Sequence, residues 1–229
     1  MLNHNLTHLL RMLALYFIGY LILLPSILSK ITLLLDPNAT TFPPNVLLGG
    51  YLIYLCLIIF CSRKELIKGW RTFSNNLKKS VSMIFKSFGL ILVVNFVLSV
   101  LVSIIFKTNG SINQQSIESQ THLYPSLLLF ITCVFAPVVE ECVFRGSVLH
   151  YFQSLKWNKI GLVLSSLLFG FIHVMDTLLI GGFSEIGYWF VYTMIGMVLG
   201  SSYQRSHSLI VCILIHALNN FIACMLLLV

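Results

Sequence analysis

Ala136-Pro137-Val138-Val139-Glu140-Glu141-Cys142-Val143-Phe144-Arg145-Gly146 places two acids and an arginine inside an otherwise apolar segment of membrane-spanning length. Each unpaired ion at the centre of a bilayer helix costs roughly 2.5–3.5 kcal/mol on insertion scales, so three approach the ~5–15 kcal/mol net stability of a whole domain. Glu141 and Arg145 are four apart on one helical face and can neutralise each other. That pairing does not account for Glu140, so the stretch reads as functional rather than only structural.

The rest of the composition agrees with a membrane setting. Of 229 residues, 58% are hydrophobic and 9% charged, and the mean hydropathy is +0.93, against ~25% charge in a soluble domain. No polar block is long enough to close a core of its own. The chain therefore reads as all-α, one integral membrane domain built as a polytopic transmembrane helix bundle. A net charge of +7 does not point to nucleic acid, because the positive residues sit in short stretches beside apolar runs, as orientation by positive-inside charge requires. The six cysteines lie within or at the ends of apolar segments and form no Cys-x-x-Cys pair, which removes a disulfide framework or a zinc or redox motif of that type.

Outward from the acidic stretch, apolar runs cover 9–35, 46–61, 81–106, 123–153, 160–175, 188–203 and 209–229. They make seven spans, or eight if one helix is broken. The first run lacks a basic leader and a cleavage signal and reads as an uncleaved helix. Run 123–153 exceeds a ~20-residue crossing and carries Pro137 one turn before the acids, so a kinked or broken helix that admits water and peptide is expected there. Residues 62–80 hold six basic residues against Glu65, with Leu66, Trp70, Phe73 and Leu77 at helical spacing. This predicts an interfacial amphipathic helix on anionic membrane lipids. Residues 107–122 and 176–187 read as external loops. The organisation expected is thus residues 1–122 as N-terminal transmembrane helices with a basic cytoplasmic loop at 62–80, and residues 123–229 as the motif-bearing helical core. An inside N-terminus puts eleven Lys and Arg residues on the cytoplasmic side and leaves only Lys30 and Lys107 outside. Asn5, Asn38 and Asn109 begin glycosylation-type triplets, a pattern common by chance.

Two other apolar runs carry polar groups, Phe169-Gly-Phe-Ile-His173 and His216-Ala-Leu-Asn-Asn220. Helical spacing puts His216 and Asn220 on one face and Asn219 off it. Glu140 precedes the 154–159 turn by about 14 residues and His173 follows it by about 14, so both lie roughly 20 Å from that turn at ~1.5 Å per residue. As antiparallel neighbours they would meet. A carboxylate and an imidazole can take a proton from water, and imidazole and amide N–H groups can hold the oxyanion on a peptide carbonyl. There is no His-Glu-x-x-His, no Gly-x-Ser-x-Gly and no transmembrane aspartate pair or Gly-x-Gly-Asp. Cys142 is a poor nucleophile, because an apolar setting beside Glu141 disfavours its thiolate.

With Glu140-Glu141-x-x-x-Arg145, Phe169-x-x-x-His173 and His216-x-x-x-Asn220 in order, the chain resembles the CAAX protease and bacteriocin-processing family, also called Abi or type II CAAX prenyl endopeptidase-like. The resemblance covers roughly residues 124–225. It implies a helical bundle around a polar intramembrane cavity and endoproteolysis within or beside the membrane. By resemblance, Glu140 and His173 activate the attacking water, His216 and Asn220 form the oxyanion hole, and Glu141 with Arg145 supports the site. The expected partners are membrane lipids and a peptide or lipidated-protein substrate, in a bacterial plasma membrane with the N-terminus cytoplasmic. The family has been described both as metal-independent and as metal-dependent. No cofactor is expected, and zinc on Glu140, His173 and His216 is the alternative, one that leaves the Asn220 amide without a role. The functional alternatives are a non-catalytic immunity or regulatory protein of the Abi type and a proton-coupled transporter, the latter disfavoured because no internal repeat is evident.

Overall fold

The computed structural model describes residues 2–108, 110–121, 124–183 and 185–228. The domain boundary expected at 122/123 and the triplet at Asn109 begin or fall outside the described residues. Every regular element among those described is helical. In chain order they are α1 Asn3–Leu35, α2 Pro44–Cys61, α3 Arg63–Asn75, α4 Leu77–Phe106 and α5 Ile112–Thr121. Then follow α6 Pro125–Ser154, α7 Asn158–Ile172, α8 Met175–Leu179, α9 Glu185–Ser206 and α10 Leu209–Leu228. Helices α1, α2, α4, α6 and α10 are long and apolar enough to cross a membrane, and α7 is a shorter apolar helix. With the 22-residue α9, they occupy the seven runs expected to span.

Helix α6 is the axis of the bundle, touching α1, α2, α7, α9 and α10. Its residues Phe135, Cys142, Val143, Phe144, Glu141 and Arg145 are all fully buried. Small residues bring α7 and α9 together, as is usual where lipid supplies no hydrophobic drive between helices. A Cβ on Gly170 would lie 2.7 Å from the Thr193 nitrogen and 2.8 Å from the Trp189 oxygen, and one on Gly196 would lie 3.1 Å from the Ser166 Cα. Gly196-x-x-x-Gly200 is thus a close-approach stripe that the motif reading did not use.

Three expectations change in detail. First, α6 is neither broken nor interrupted at Pro137. A π-helical stretch, Ile131–Phe135, immediately precedes the proline, and the Ala136 N–H reaches back five residues to the Ile131 carbonyl. The widened turn accommodates the proline ring without interrupting the helix. The same device precedes Pro25 in α1, where the Leu24 N–H binds the Gly19 carbonyl after a π stretch at Leu15–Leu23. Second, the segment expected as an external loop contains α5. Its neighbours are fixed by side-chain hydroxyls: Tyr188 Oη lies 3.1 Å from Thr108 Oγ1, and Tyr192 Oη lies 2.8 Å from Ser111 Oγ. Third, the apolar residues expected on one interfacial helix over 62–80 are divided between α3 and the first residue of α4, Leu77, and do not all face lipid. Leu66 and Phe73 pack on the core, Trp70 and Leu77 are exposed, and the buried Gly69 sits against the first residue of α10, 2.9 Å from the Leu209 nitrogen to a would-be Cβ.

Candidate active site

Consecutive helical residues point about 100° apart, and α6 uses that angle to send its two glutamates to different places. Glu141 turns inward, where Arg145 Nη1 donates to its Oε1 at 2.8 Å with both side chains fully buried. Arg145 Nη2 donates to the Gly196 carbonyl on α9 at 2.9 Å, and its guanidinium lies 4.5 Å above the Phe169 ring on α7. A fork of fixed donors with a flat face is what arginine offers and lysine does not. Glu141 Oε1 also accepts from His216 Nδ1 on α10 at 3.0 Å. One buried ion pair therefore ties four helices. Glu140 instead lines a cavity, and its Oε2 is buried without a hydrogen-bond partner among the described residues.

His173, at the end of α7, faces Glu140 with Nε2 3.9 Å from Oε2. Its Nδ1 lies 2.8 Å from the Phe169 carbonyl. A carbonyl only accepts, so Nδ1 carries the proton and the neutral ring presents an Nε2 lone pair to Glu140, an assignment resting on the partner. Tyr192 stacks on the ring at 4.6 Å and 23°, and Phe169 packs beside it at 4.8 Å.

The same reasoning alters His216. Its Nδ1 donates to a carboxylate, so the neutral ring leaves Nε2 as an acceptor. A neutral imidazole holding an oxyanion through that nitrogen does not fit this geometry; Nε2 donates only in the doubly protonated ring.

Asn220 Nδ2 donates to the Thr132 carbonyl of α6 at 2.8 Å. That carbonyl is free for a local reason. Ala136, its α-helical partner, bonds to Ile131 instead, and Pro137, the π-helical one, has no N–H. One Asn220 N–H thus fills the gap and the second remains. Asn219 donates to Asn220 Oδ1 at 3.2 Å and also lines the cavity, contrary to the reading that put it off the His216 face.

The cavity measures about 710 Å³. Glu140, His173, His216, Asn219 and Asn220 share its wall, while Glu141 and Arg145 stand behind that wall. Sequence reading had not singled out Phe169 itself, Tyr192 or Thr132. Phe169 was visible inside its motif; Tyr192 and Thr132 carry no local signal. Among the described residues no three His, Cys, Asp or Glu side chains gather into a group able to hold a metal ion. His173 and His216 each use Nδ1 on a protein oxygen and present the Nε2 lone pair, with Glu140 Oε2 3.9 Å from that of His173. No step below runs through a metal.

Residues 122–222 match the family described as type II CAAX prenyl endopeptidase Rce1-like. The chain is also 28% identical over 116 residues to the UPF0177 protein YaiH of Lactococcus lactis subsp. lactis (strain IL1403). That alignment takes in 50% of this chain and 44% of the relative, so the chain spans less than half of the relative's length. No solved structure matches. The three ordered motifs all lie inside the stretch that matches the type II CAAX prenyl endopeptidase Rce1-like family.

Proposed function

We propose that the protein is an intramembrane endopeptidase that hydrolyses a peptide bond with water activated by Glu140 and His173. The observation that carries the reading is the 3.9 Å separation of Glu140 Oε2 and His173 Nε2 on the wall of the cavity. The two atoms are too far apart to bond each other. A water ~2.8 Å from each would bridge them with an angle of about 90° at its oxygen. Glu140 takes one proton of that water as its oxygen attacks the substrate carbonyl, and His173 Nε2 accepts from the other. Negative charge then develops on the carbonyl oxygen. The second N–H of Asn220 and, in its doubly protonated form, His216 Nε2–H stabilise it. Glu140 returns its proton to the amide nitrogen as the C–N bond breaks. Glu141 and Arg145 touch no reacting atom; they hold α6, α7, α9 and α10 in register.

The substrate class that suits this site is a membrane-associated peptide or protein tail. A bacterial plasma membrane is the setting favoured by the Lactococcus lactis relative, with the N-terminus cytoplasmic and α3 on anionic lipid. Comparing membrane peptides from wild-type and Glu140→Gln cells tests the reading. A product present in the first and missing from the second is expected. A normally inserted Glu140→Gln protein that retains full activity in cells would sink it and leave a non-catalytic immunity or regulatory role of the Abi type.

A further inference from the structure

We infer that the cavity opens on the face opposite the basic one, and that it takes an uncharged or basic internal stretch of a peptide lying on the non-cytoplasmic side of the membrane. The substrate part of this inference rests on the protease reading above; the direction of opening does not.

The structure gathers the basic segments at one end. Arg11 Nη2 lies 3.5 Å from the Cys61 carbonyl, Ser208 Oγ donates to the Gly69 carbonyl at 2.8 Å, and Gln204 Nε2 donates to the Asn158 carbonyl at 2.8 Å. These contacts join the start of α1, helix α3, the α6–α7 turn and the α9–α10 turn. Positive-inside orientation makes that end cytoplasmic. Between it and Glu141 the bundle is solid: Leu149, Leu199, Val211, Cys212 and Ile215 are fully buried. Gly69 against Leu209 closes the base.

The cavity is built from the other half. Its wall uses Asn95, Ser99 and Ser103 in the second half of α4, residues 110–117, the first two turns of α9, and α10 from His216 onward. Ser116, exposed to solvent, stands at its rim. No Lys or Arg among the described residues lines it, while Glu140 and Asp176 do. Amide and hydroxyl groups of this kind match the donors and acceptors of an extended peptide backbone. A carboxylate would enter with no Lys or Arg to meet it, with His216 already paired to Glu141, and with two acids facing it, an unfavourable burial. The wall therefore selects against acidic segments and against a free C-terminal carboxylate at the cleavage point.

The test adds single cysteines to the full chain, keeping the native ones as background, and labels intact cells with a membrane-impermeant maleimide. Ser99→Cys on the wall and Ser116→Cys at the rim are expected to label severalfold above the unaltered chain without permeabilisation. Asn75→Cys on α3 is expected to label only after it. If both cavity positions label only after permeabilisation, or only in detergent, the direction of opening is overturned. The product that depends on Glu140 supplies the second arm. Cleavage in an acidic or cytoplasmic stretch, or at a free C-terminal tail, overturns the substrate class while leaving the protease reading intact. Loss of the protease reading leaves the labelling result standing.

Discussion

Arg145→Met tests whether the pair behind the cavity is structural. The substitution keeps most of the apolar stem but removes the donors to Glu141 Oε1 at 2.8 Å and to the Gly196 carbonyl at 2.9 Å, and the cation above Phe169. Glu141 is then a fully buried carboxylate with His216 Nδ1 as its remaining partner. Breaking a buried pair from one side costs about 3–5 kcal/mol, because an uncompensated charge stays behind. For a chain of this length each kcal/mol shifts a melting temperature by about 2–4 °C, so a fall of roughly 6–20 °C is expected. The double variant Arg145→Met/Glu141→Leu removes both charges and should melt above the single one. It should not regain the wild-type value, because His216 Nδ1 loses its acceptor, worth about 1–3 kcal/mol. Thermal unfolding of the three proteins in the same detergent reads this directly. A single variant within about 2 °C of wild type, or a double variant no higher than the single, would refute the view that the pair acts as a mutually compensated clamp.

Gly170→Ala should destabilise by about 1–3 kcal/mol, since its Cβ meets the Thr193 and Trp189 backbone, whereas Gly200→Ala should be mild because it meets the mobile end of Leu162; melting temperatures of the two variants decide. Tyr192→Phe keeps the ring stacked on His173 and loses only the hydroxyl contacts to Ser111 and Asn113, so cleavage should be nearly unchanged. Tyr192→Leu should lower kcat up to about 10²-fold with the protein still folded, and equal rates for the two variants would count against a positioning role. Asn220→Ala strands the Thr132 carbonyl and should cost about 1–3 kcal/mol together with about 10²–10³ in kcat, while Asn219→Ala should spare both; the paired comparison by unfolding and product formation checks it.

The long helices were readable in advance because a lipid setting demands apolar runs of fixed length. The candidate site residues could be singled out because polar residues stand out within such runs. What escaped notice depended on contacts between distant segments. Helix α5 is polar and Ser/Asn/Gln-rich, with little local drive to form. Its position is set by Tyr188 and Tyr192, about 80 residues downstream, and by the Ile112 N–H 3.4 Å from Glu185. Asn219 was set aside on helical angle, yet three residues from His216 is still a neighbouring position, and a cavity of this size reaches both. The tautomer of His216 was beyond any spacing argument, because it is decided by Glu141 on another helix.

Pro137 is where these levels meet. A proline in mid-helix leaves a carbonyl without its donor, and inside a bilayer such a group must find one. The π turn before it keeps α6 continuous but does not supply the bond, since the Ala136 N–H is diverted to Ile131. Asn220 supplies it from α10. Taken alone, that bond looks like a structural use of the amide that competes with catalysis. An amide nitrogen carries two hydrogens, however, and fixing one of them on Thr132 fixes the direction of the other. In the proposed mechanism the second N–H is therefore held in place before any charge develops, which is the condition under which an oxyanion donor contributes most. The proline expected to open the bundle also creates a vacancy that orients a residue on its neighbour.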